Sequence, residues 1–75
     1  MDRIDFNRIA RHEWRIRLDG EIVGDVLRMP DVLAAGATVF VIQLSEDYRG
    51  PVRVGDPARV RPETARMLDT HPLWR

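Results

Sequence analysis

From Trp14 to Leu18 the chain reads apolar, charged, apolar, charged, apolar, the period-two pattern of a strand with one face buried and one wet. Asp19-Gly20 follows, a dipeptide suited to a two-residue type I′ turn because both central residues of that turn need positive φ. Glu21 to Arg28 then returns as a second strand. A two-residue turn pairs Leu18 with Glu21 and places Trp14, Ile16, Leu18, Val23 and Leu27 on one face. That register leaves Ile22 and Val26 on the opposite face with Arg15 and Arg17. Two arrangements resolve the conflict: a β-bulge at Gly24, which moves Val26 to the core side, or a central strand covered on both faces.

Upstream, Ile4, Phe6, Ile9 and Ala10 recur at near-helical spacing behind Asp2 or Asp5, with Arg3, Arg8 and Arg11 outward, and predict a short amphipathic N-terminal helix. Downstream, Met29 to Gly36 has Pro near its start and Gly at its end, the punctuation of one or two helical turns. Ala37 to Leu44 is rich in β-branched residues and apolar on both faces, and reads as a mid-sheet strand. Ser45 to Pro51 has turn composition. Val52-Arg53-Val54 and Arg59-Val60-Arg61 alternate as two edge strands around Gly55-Asp56-Pro57. Pro62 to Leu68 predicts a C-terminal helix that stops before Pro72.

Together these elements predict an α+β fold: a small antiparallel β-meander of four to five strands with short N- and C-terminal helices. Four strands suit an open sheet, and five suit an SH3-like, partly open barrel. Residues 1–75 form one small domain, since 75 residues leave no room for a second core.

Composition narrows the chemistry. There is no Cys and no Lys, which removes thiol chemistry, Cys-based zinc sites, Schiff bases and a P-loop lysine. All twelve cations are Arg, a pattern that GC-rich coding produces and that fits a bacterial or mobile-element source. The N-terminus lacks the apolar core of a secretory signal, and no stretch approaches a bilayer span, so a cytoplasmic protein without membrane contact is expected. Ser45 is the single serine and reads as a turn residue. His12 and His71 show no metal-ligand spacing, and Asp69/His71 reads as a surface pair, so neither metal nor cofactor is expected. The carboxylate pairs Glu46/Asp47 and Glu21/Asp25 would need a shielded cleft to act as acid and base. This inventory points away from an enzyme.

Twelve Arg balance twelve Asp plus Glu, so the chain has no overall pull toward nucleic acid. The distribution is uneven. Residues 21–47 carry five acids against Arg28, a net of −4, and residues 48–75 carry six Arg against three acids, a net of +3. Tyr48, Arg49, Arg53, Arg59 and Arg61 form a candidate face for nucleic acid or an acidic partner; charges on an edge strand also guard against aggregation. In the tail, Leu73 and Trp74 are a candidate anchor for a partner protein, or a lid on the core. The expected function is a non-catalytic protein-interaction module whose partner is another protein or a second copy. The alternatives are a small nucleic-acid-binding domain using the arginine face and an accessory subunit of an enzyme.

Overall fold

The computed structural model describes residues 3–46 and 49–71. Five strands, β1 (Ile4–Ala10), β2 (Glu13–Leu18), β3 (Glu21–Pro30), β4 (Thr38–Leu44) and β5 (Val52–Val54), follow one another in an antiparallel meander. A 3₁₀ turn (Pro57–Arg59) leads into one helix, α1 (Val60–Thr70). The sheet is open, with β1 and β5 at its edges, and does not close into the SH3-like barrel.

The expected N-terminal helix is a strand. Ile4 faces Leu18, Phe6 faces Ile16 and Arg8 faces Trp14 across the β1–β2 ladder. A helix would have set Ile4 above Asn7 and Arg8, both polar, whereas period two puts Ile4 and Phe6 together on the inner side. Two expected features between Met29 and Arg61 also change. The segment after Pro30 is a pair of tight turns, not a short helix, closed by the Asp31 carboxylate accepting the Leu33 N–H at 3.0 Å and by the Ala37 N–H donating to Ala34 at 3.0 Å. Arg59 and Arg61 stand on helical turns instead of an edge strand. There the Asp56 carboxylate accepts the Ala58 N–H at 2.9 Å and Pro57 supplies the pre-set φ of a first turn. The C-terminal helix therefore starts before Pro62.

The β2–β3 hairpin is as the alternation predicts. Asp19 and Gly20 have φ of 53° and 85°, and Leu18 pairs with Glu21. Arg3 donates to the Asp19 carboxylate at 2.8 and 2.6 Å, tying β1 to the turn and holding the Asp19 carboxyl below its ordinary pKa. Space around Gly20 is open, so Gly20→Val tests conformation alone. Left-handed backbone costs a β-branched residue about 1–2 kcal/mol, and each kcal/mol lowers the melting temperature of so small a domain by about 4–8 °C. A variant melting within about 2 °C of the native chain would contradict the turn.

Of the two arrangements left open for β3, the bulge is the one found. Arg17 pairs with Ile22 and Ile16 with Gly24, so Val23 is the extra residue. Val23 and Val26 are both buried, and Trp14 lies opposite Val26. Leu27 consequently turns away from the core, against expectation, and is 42% exposed.

The main core is on one face. α1 lays Thr64, Met67 and Leu68 over Ile4, Ile16, Val23, Ile42, Leu44 and Val54. Thr64 satisfies its buried hydroxyl by donating to the Val60 carbonyl at 2.7 Å. His71, also buried, ends the helix with its N–H donating to Leu68 at 3.2 Å. No described helix is long and apolar enough to cross a membrane.

Candidate functional site: an aromatic groove rimmed by arginine

α1 covers only part of its face of the sheet. Beside its first turn the strands continue uncovered, and their inward positions are Phe6 on β1, Trp14 on β2, Val26 on β3 and Phe40 on β4. With Pro57, Val60 and Arg61 they line an open groove of about 280 Å³. The Trp14 and Phe40 rings lie 6.3 Å apart between centroids, tilted by 51°. All three rings are only partly buried, so the floor is apolar and within reach of a ligand.

Guanidinium groups rim this floor. Arg8 and Arg28 stack on Trp14, their carbons 5.7 and 5.6 Å from the ring centre, and Arg61 lies 5.1 Å from the centre of Phe6. Each is held by backbone or by histidine. Arg8 donates to the carbonyls of Ala10 and Arg11 at 3.2 and 2.8 Å, and Arg61 donates to the Ile4 carbonyl at 2.7 Å. Arg28 Nε donates to His12 Nδ1 at 3.1 Å. None of the described residues lining the groove is acidic, and the strand carboxylates Asp5, Glu13 and Asp25 occupy positions on the opposite face by their pairing with Arg17, Leu27 and Arg15.

The cation cluster acts on His12. Partial desolvation, then the charges of Arg28, Arg11 and Arg8, hold its pKa below the ordinary 6.5. Its Nδ1 accepts from Arg28, so the neutral ring is the form that fits. A group whose folded pKa is depressed contributes stability that is complete above the unfolded pKa and lost as pH falls through the folded one. The melting temperature is therefore expected to decline on acidification below about pH 6.5, and less so in His12→Gln. An NMR titration placing the His12 pKa at or above 6.5 would contradict this assignment.

The arginines singled out from the sequence are not gathered on one face. Arg49 reaches the end of α1, donating to Thr70 Oγ1 at 2.8 Å and the Met67 carbonyl at 3.3 Å, where a cation suits the helix C-terminus. Arg53 pairs with Val41 and stands on the face away from α1. Arg59 is exposed in the 3₁₀ turn, and Arg61 alone joins the groove. Tyr48, Leu73 and Trp74 lie outside the described residues. Glu21 and Asp25 face opposite sides, since their partners Leu18 and Arg15 do; Ser45 sits in the turn after β4 with its N–H on the Val23 carbonyl at 2.8 Å. Among the described residues no cluster of three or more His, Asp or Glu could hold a metal ion.

The residues that build the groove, Phe6, Arg8, Trp14, Arg28 and Phe40, carried a sequence signal only once β1 is a strand. Pairing then sets Arg8 beside Trp14 and Arg28 beside Phe40. Comparison of the chain with known protein families, with curated proteins and with solved structures finds no match.

Proposed function

We propose that this chain is a non-catalytic binding module and that its ligand occupies the groove formed by Phe6, Trp14, Phe40 and Arg61. The observation that carries the reading is the union of three partly open aromatic rings with three guanidiniums, and no carboxylate among the described lining residues. Such a surface suits an anionic segment with an apolar anchor: the anchor displaces water from the rings, and carboxylates draw the guanidiniums off them. An acidic peptide segment of a partner protein meets both demands, and the groove's size matches a few side chains rather than a folded substrate. The described lining is aromatic and aliphatic with a single guanidinium, Arg61, a composition suited to holding an apolar anchor beside an anionic group.

Single-stranded nucleic acid is the second reading. It is favoured by the stacking of Arg8 and Arg28 on Trp14, because bases stack on such rings and phosphates pair with such cations. Selection of random displayed peptides on the immobilised domain, run beside oligo(dT) binding at low and high salt, separates the two. The proposal expects enriched peptides that combine acidic with aromatic or aliphatic residues and lose binding to the Trp14→Ala and Arg28→Gln variants. Enrichment of no such motif, together with salt-sensitive oligo(dT) binding that those variants abolish, would shift the assignment to nucleic acid. Binding that ignores both variants would remove the groove from the account.

A further inference from the structure

Among the described residues, no helix or further strand lies over the face of the sheet away from α1, although its centre is apolar. β3 exposes Leu27 and Met29, 42% and 40% accessible; on β4 the half-buried Val41 lies beside Leu27, and Val39, already buried at 6%, lies beside Met29. The order of residues across the strands is informative. From β2 to β5 one row reads Glu13, Leu27, Val41, Arg53, each the paired neighbour of the next. The rows on either side read Asp25 beside Gln43 and Met29 beside Val39.

Turn a second copy by half a rotation about an axis running along the strands between β3 and β4, and every row meets itself reversed. Leu27 then faces the other copy's Val41, Asp25 faces Gln43, and Glu13 faces Arg53, while Met29 lies over the row of the already buried Val39. Apolar meets apolar at the centre, a carboxylate meets an amide next to it, and opposite charges meet at both ends of the longest row. A twofold contact demands that a surface complement itself in this way, whereas a surface for an unrelated partner has no such requirement. Arg15 falls at the rim, past the end of the short β5, and stays solvated.

We propose that this face is a homodimer interface, in which two copies pack sheet to sheet as a β-sandwich about 10 Å thick, with both helices outside. The groove on the helix-bearing face remains open in such a dimer, so each dimer presents two grooves on opposite surfaces.

Sedimentation equilibrium of the full chain from about 10 μM to about 1 mM tests the proposal. The native chain is expected to dimerise, and Leu27→Glu to stay monomeric over that range while keeping the native circular dichroism spectrum. Glu13→Arg and Arg53→Glu each put like charges at both ends of the interface and are expected to weaken dimerisation by about tenfold or more. The double variant Glu13→Arg/Arg53→Glu restores opposite charges and is expected to regain native affinity within about threefold. A native chain that is monomeric at about 1 mM would overturn the proposal. So would a dimer indifferent to Leu27→Glu, or a double variant as weak as either single one, the results a pairing of sheet edges would give. Should Leu27→Glu fail to fold, the three charge variants decide the matter alone.

Discussion

Gly24→Ala is expected to cost about 3 kcal/mol or more, enough to lower the melting temperature by about 12–24 °C. Gly24 lies at the bulge, where β3 passes close to β4. A Cβ there would sit 2.4 Å from the Gln43 carbonyl oxygen and 3.0 Å from the Leu44 Cα, both backbone atoms that cannot swing aside. Relief requires parting β3 from β4, and Leu44 is in the core, so the strain spreads into Ile42 and Val26 packing. The gain in strand preference of Ala over Gly, about 0.5–1 kcal/mol, is too small to offset this. Thermal unfolding followed by circular dichroism measures the effect. A fall of less than about 4 °C would mean that the two strands are further apart here.

The second large effect is expected at Ile42, which is completely buried in the middle of β4. Truncation to Ala removes its contacts and leaves a cavity between the sheet and α1, for a cost of about 2–5 kcal/mol. The same measurement on Leu33→Ala supplies the contrast. Leu33 is 88% exposed at the β3–β4 turn, and its truncation is expected to change stability by less than about 0.5 kcal/mol. Denaturant titration of both variants gives the two values under one condition. Comparable losses at the two sites would mean that the core is not where the strand register puts it.

What the sequence discloses and what it hides follow from how local each decision is. The β2–β3 hairpin is legible because Asp19-Gly20 and the alternation around it are local signals that agree. The β4 strand and the C-terminal helix are legible for similar reasons, with β-branched density in one and Pro62 near the start of the other. β1 is not, because Ile4, Phe6, Ile9 and Ala10 satisfy a short helix as well as a strand. What decides is the free edge of β2, a non-local partner whose backbone groups an isolated helix would leave unpaired. The Arg59-Val60-Arg61 alternation misleads because three residues are too few to set a period against an Asp cap and a proline. The bulge at Val23 was visible as a conflict in the pattern, and its position needed the register. The groove inherits every one of these dependencies: its floor comes from four strands, its three rings from β1, β2 and β4, and β1 reads as a helix in isolation.

On the proposed reading the groove, and no other surface, receives the ligand. Its most direct test is a backbone amide NMR titration of the uniformly ¹⁵N-labelled chain with an acidic peptide enriched in the display selection. Saturable shift changes are expected to concentrate at Phe6, Arg8, Trp14, Val26, Arg28, Phe40 and Arg61, leaving Arg49, Arg53 and the far end of α1 unmoved. Shifts centred instead on β5 and the C-terminal turn of α1, with Trp14 and Phe40 unchanged, would contradict it.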